Sequence, residues 1–124
     1  MTRPATLLLV EDEFLLALQI EDVLQEAGLH VIGPAATLAQ AKSLAQNAAF
    51  DGALLDVNLR GEHVDEVASI LQERGIPFVF TTGYGREHLP AAFRDHAGFL
   101  AKPFSDKMLI QAVREHLIAE KEES

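Results

Sequence analysis

Asp56 closes the apolar run Ala53-Leu54-Leu55 and is followed at once by Val57-Asn58-Leu59-Arg60-Gly61. Three more apolar runs end on polar residues in the same way. Glu11 and Asp12 follow Leu7-Leu8-Leu9-Val10, Thr82 follows Phe78-Val79-Phe80-Thr81, and Lys102 follows Gly98-Phe99-Leu100-Ala101. A polar residue that closes a short buried strand stands at its carboxyl end, where open α/β sheets gather their chemistry. Two like charges ~4 Å apart repel by roughly 4 kcal/mol at an effective dielectric near 20, so three carboxylates in one crevice need a cation. Few carboxylates and an open site suit Mg²⁺. Such an ion neutralises an incoming phosphoryl group, Lys102 supplies a second positive charge, and Asp56 is a competent nucleophile for an acyl phosphate.

Each residue has an ordinary alternative when taken alone. Asp12 could cap a helix, Asp56 could shape an Asx turn, Thr82 could bond its own loop and Lys102 could be a solvated amine. The combination is more specific, because four strands must end in the right chemistry in the right order.

Strand and helix periods alternate along the chain. Thr6 to Val10, Leu29 to Ile32, Gly52 to Asp56, Pro77 to Thr81 and Ala97 to Ala101 read as strands, the second ended by Gly33-Pro34. Helices are expected from Glu13 to Ala27 with Gly28 as the stop, from a Thr37 cap to Ala48, from about Val64 to Gly75, and after a Ser105 cap. Pro90 restricts the fourth helix to a short piece near Ala91 to Arg94. Five βα units imply a doubly wound parallel sheet with helices on both faces, and strand order 2-1-3-4-5 brings the four polar ends to one rim.

At 124 residues the chain is expected to be one domain, 1–124, with a frayed tail at 119–124. A formal charge of −9 argues against a nucleic-acid groove. No apolar run approaches the ~18 residues of a membrane span, and no secretory leader opens the chain, so no membrane partner is expected. With no cysteine there is no disulfide framework, which suits a cytoplasmic protein. His30, His63, His88, His96 and His116 lack metal-ligand spacing, and Gly83-Tyr84-Gly85 is no dinucleotide fingerprint because it follows the fourth strand and lacks a third glycine.

The motifs Val10-Glu11-Asp12-Glu13, Leu55-Asp56-Val57-Asn58, Phe80-Thr81-Thr82-Gly83 and Lys102-Pro103-Phe104 resemble those of the response-regulator receiver domain of two-component signalling. The resemblance runs from Leu7 to about Leu117. It implies a flavodoxin-like fold and a phosphoacceptor that catalyses only its own phosphorylation and dephosphorylation. Asp56 would take phosphate from a sensor histidine kinase or phosphotransfer protein. Glu11, Asp12, Asp56 and the Asn58 carbonyl would hold Mg²⁺, and Lys102 would pair with the phosphoryl oxygens through a typically cis Lys102-Pro103 turn. Thr82 and Phe99 would be the switch residues, and Asn58 and Tyr84 would tune dephosphorylation.

Two departures stand out. Glu11 occupies a place that usually holds Asp, and Phe80-Thr81-Thr82-Gly83-Tyr84 is similar to a variant subgroup whose fourth strand ends F-A-T-G. In that subgroup the fourth helix is often short or mobile and the partners are atypical histidine kinases. Because the chain stops after its last helix, the expectation is a stand-alone receiver, monomeric or weakly dimeric. It would act by docking to an unidentified downstream protein or by draining phosphate from a shared kinase. The competing expectations are a degenerate receiver that binds proteins without phosphorylation, and a small Mg²⁺-dependent hydrolase, for which Asn58 stands where a second acid is needed.

Overall fold

The computed structural model describes residues 4–83, 85–96 and 98–118. Five parallel strands form one sheet: β1 (Thr6–Val10), β2 (His30–Ala35), β3 (Gly52–Asp56), β4 (Phe78–Thr82) and β5 (Phe99–Ala101). Their order is β2-β1-β3-β4-β5, as the alternation of periods implies. Helices α1 (Phe14–Glu26), α2 (Leu38–Asn47), α3 (Asp65–Arg74) and α4 (Asp106–His116) cover it.

The strands read as continuous apolar runs because both faces are buried. Leu8, Val10, Ala53, Leu55, Phe78 and Phe80 point into a core closed by Ala41 and Ala45 of α2 and Val67, Ala68 and Leu71 of α3. Their neighbours Leu7, Leu9, Leu54, Val79 and Leu100 point the other way, against Ala17, Ile20 and Leu24 of α1 and Leu109 and Val113 of α4. The two-residue side-chain period thus splits each strand between two cores.

Local chemistry sets the helix ends. Thr37 Oγ1 accepts from Gln40 N at 3.2 Å and Ser105 Oγ from Met108 N at 3.1 Å, so both expected caps form. Gly28, at φ +88°, ends α1 with bonds from its own N–H to Gln25 O and from Leu29 N to Leu24 O. This pair satisfies carbonyls that a helix end leaves free.

One expectation needs correction. Gly33-Pro34 does not end the second strand, which continues to Ala35 through a bulge where Leu8 pairs with Ile32 and Val10 with Ala35. A proline is tolerated there because β2 is an edge strand. Gly33 sits at φ +101°, and a Cβ on it would meet Leu9 O at 2.7 Å. The fourth helix is short and falls where expected, as the second of two 3₁₀ turns, Arg86–His88 and Ala91–Phe93, that flank Pro90. Proline there lacks the N–H that a continuous helix would need. Asn58–Leu59 and Glu62–His63 form an additional antiparallel hairpin. The expected fifth strand begins at Ala97, and Ala97 and the tail 119–124 lie outside the described residues.

Candidate functional site

Parallel pairing carries the carboxyl ends of β1, β3, β4 and β5 to one rim. Glu11 leaves β1 with its N–H bonded to Ala35 O at 3.0 Å, and Asp56 is the last residue of β3. Thr82 ends β4, and its carbonyl accepts from Lys102 N at 2.7 Å. The Lys102-Pro103 peptide is cis. From there the Lys102 side chain crosses the ends of β4 and β3 to reach the acids of β1. A cleft of about 330 Å³ opens over this rim, lined also by Asn58 and Gly83.

Glu11, Asp12 and Asp56 each offer a carboxylate oxygen within 4.8 Å of the others. Glu11 is 2% exposed and Asp56 5%, so two of the three acids are withdrawn from water. Lys102 Nζ lies 3.0 Å from Glu11 Oε1, 3.3 Å from Glu11 Oε2 and 3.5 Å from Asp56 Oδ2. Its contact with Oε1 is ionic without hydrogen-bond alignment, and that buried oxygen has no hydrogen-bond partner. Burial, and next the charge of Glu11, push Asp56 from its ordinary 3.8 up to about 7, against the opposing pull of Lys102 and the Asn58 N–H. For Lys102, burial disfavours the ammonium, but Asp56 and Glu11 outweigh it and raise its pKa above 10.5.

Backbone donors hold the acids in place. Asn58 N donates to Asp56 Oδ1 at 3.3 Å, so Asp56 does form the Asx-type contact while also facing the cleft. Glu13 N donates to Glu11 Oε2 at 3.1 Å. Asp12 caps no helix; its Oδ2 accepts from Arg60 N at 2.8 Å. That last donor is supplied by the turn of the Asn58–Leu59 and Glu62–His63 hairpin. Arg60 and Gly61 form its two-residue turn at φ 51° and 81°, the positive values such turns need. The dipeptide Arg-Gly between Leu59 and Glu62 was the available signal.

Of the remaining expected residues, Thr82 is buried at the cleft, and Asn58 is exposed on its lip. Phe99 pairs with Phe80 across the sheet and packs, half-buried, on the α2–α3 side of the core. Tyr84 lies outside the described residues. The donor set, three carboxylates with one orphaned buried oxygen, fits a hard divalent ion.

Residues 7–114 match the family described as the response regulator receiver domain. This chain belongs to that family. The receiver is 31% identical over 113 residues to the transcriptional regulatory protein PdtaR of Mycobacterium tuberculosis, covering 89% of this chain and 55% of PdtaR. It is 32% identical over 101 residues to the phyllosphere-induced regulator PhyR of Methylorubrum extorquens, covering 79% of this chain and 38% of PhyR. It therefore spans about half or less of these curated relatives. Among solved structures, SdrG of Sphingomonas melonis Fr1 superposes with a TM-score of 0.79 at 38% identity, covering 91% of this receiver and 96% of SdrG. No helix among the described residues is long and apolar enough to cross a membrane.

Proposed function

We propose that this receiver accepts a phosphoryl group on Asp56 in a Mg²⁺-dependent reaction, with a phosphohistidine on a sensor kinase or phosphotransfer protein as donor. The reading rests on the convergence of Glu11, Asp12 and Asp56 within 4.8 Å, with Lys102 Nζ 3.5 Å from the Asp56 carboxylate. Glu11, Asp12, Asp56 and the Asn58 carbonyl would hold the ion. Bound Mg²⁺ would neutralise the acids and draw negative charge from the phosphoryl oxygens.

Asp56 must be ionised to attack, so the carboxylate that burial holds near a pKa of about 7 has to lose its proton before transfer. The donor P–N bond then breaks, a P–O bond forms to the carboxylate, and the released imidazole nitrogen takes up a proton. Lys102 pairs with the phosphoryl oxygens and the Thr82 hydroxyl bonds one of them. The added charge of about −1.5 to −2 shifts the population of conformers through Thr82 and Phe99, and a downstream protein reads the altered surface. Asn58, on the cleft lip, governs the approach of water to the acyl phosphate, a role we extend to Tyr84.

Incubation with acetyl phosphate and Mg²⁺ followed by intact-mass measurement tests the proposal. One added phosphoryl group is expected, absent with EDTA and absent in Asp56→Asn. No adduct, or an adduct that survives the substitution, overturns it.

A further inference from the structure

Arg60, at φ 51°, is the one residue other than glycine with a positive φ among the described residues. It lies in an exposed turn beside Gly61, where an added Cβ would meet nothing within 4 Å, so no packing demands the conformation. An L-residue held there is strained, and such strain gathers where a site makes use of it. The hairpin around it is small, two residues a side, with Leu59 alone of the four buried. Hairpins of that size are marginal by themselves.

What the strained turn delivers is a pair of amides. Asn58 N donates to Asp56 Oδ1 at 3.3 Å, and Arg60 N donates to Asp12 Oδ2 at 2.8 Å. Along an extended strand alternate N–H groups share an edge, so these two, on either side of Leu59, meet the acids together. Each bond fixes one oxygen of its acid and thereby the direction of the other. Asp12 gains most: it is only half-buried, and its donor comes from 48 residues away.

We propose that this hairpin is a positioning element for the acids, and that Arg60, through its N–H and its left-handed backbone, sets how tightly Asp12 and Asp56 hold a divalent cation. The inference rests on the phosphoacceptor reading of the same cleft, in which these acids are cation ligands. Hydrogen bonds behind a metal ligand typically matter by about 10- to 100-fold in affinity. The Arg60 side chain has no part in the effect; its backbone does.

Mg²⁺ titrations followed by amide NMR shifts test this in variants that alter no acid. Gly61→Val places a β-branched residue at φ 81° and should weaken Mg²⁺ binding about tenfold. Arg60→Asn and Arg60→Ala remove the same charge and keep the same N–H, but Asn accepts the left-handed turn more readily. Mg²⁺ should therefore bind Arg60→Asn about threefold more tightly than Arg60→Ala. That exposed pair keeps the test valid should Gly61→Val fold poorly. In EDTA the Arg60 amide proton should lie downfield and move upfield in Asp12→Asn but not in Asp56→Asn, with the Asn58 amide doing the reverse. Equal Mg²⁺ affinities in all three hairpin variants, or an Arg60 amide indifferent to Asp12→Asn, would overturn the proposal. Acetyl phosphate separates it from the phosphoacceptor reading. An adduct on Asp56 with Mg²⁺ affinity insensitive to the hairpin sinks the positioning role alone, whereas a sensitive affinity with no adduct supports that role and sinks phosphorylation.

Discussion

Neutralising one acid of the cluster should stabilise the metal-free receiver, and by more as pH rises. Asp56 is buried, with a pKa of about 7 in the folded protein against an ordinary 3.8. Between those values the folded state holds a proton that the unfolded chain has released, so stability falls as pH increases. Integrated over the two pKa values, the penalty is roughly 2 kcal/mol at pH 5 and roughly 4 kcal/mol at pH 8. Asp56→Asn removes the titration and keeps the shape. In EDTA its advantage over wild type should therefore grow by about 2–3 kcal/mol between pH 5 and pH 8. Urea unfolding of both proteins at each pH measures this, and the difference cancels the histidines and other acids they share. At an m-value of about 1–2 kcal/mol/M the gap in midpoints widens by roughly 1–3 M. Saturating Mg²⁺ should narrow it, because the ion binds the full set of three acids more tightly than the two that the variant keeps. A gap that stays constant across this range in EDTA would refute the account of a buried, uncompensated carboxylate.

Lys102→Met should lower stability at pH 8 in EDTA by about 1–3 kcal/mol, since two buried acids lose their counter-charge, and Mg²⁺ should restore part of it; urea midpoints decide. The sign follows from its raised pKa: the stabilisation is fully present below the ordinary 10.5 and is lost only as pH rises through the higher folded value. Gly33→Ala should cost upwards of about 2 kcal/mol, because strained φ and a backbone clash combine, whereas Gly28→Ala, with open space at its Cβ, should cost about 1 kcal/mol. Thermal or urea melts of the pair test that ranking. Ser105→Ala should cost about 1 kcal/mol through loss of the α4 cap, read by the same melts.

Buried parallel strands are the easiest elements to read in a sequence, and here they also place the candidate site. Leu7–Val10, Ala53–Leu55 and Phe78–Thr81 could be buried on both sides only in a covered sheet, so the polar residues after them had to meet at its rim. The caps at Thr37 and Ser105 were legible for a similar reason, since each hydroxyl stands just before an amphipathic run. What could not be read depends on pairing or on backbone groups that no side chain advertises. The bulge at Gly33-Pro34 is a property of register with β1, and those two residues also spell a stop. Arg60 enters the site through its N–H, which every residue but proline carries. The approach of Lys102 to Glu11 at 3.0 Å, nearer than its 3.5 Å to Asp56, depends on how one side chain lies across two strand ends, which no motif spells.

The kinked border strand also bears on self-association. An outermost strand with free amides and carbonyls is a template on which a second sheet can grow. Here the β2 border carries a proline and an extra residue at mid-length, and the opposite border, β5, is only three residues long. Neither side gives a second chain a straight run of backbone to zip onto.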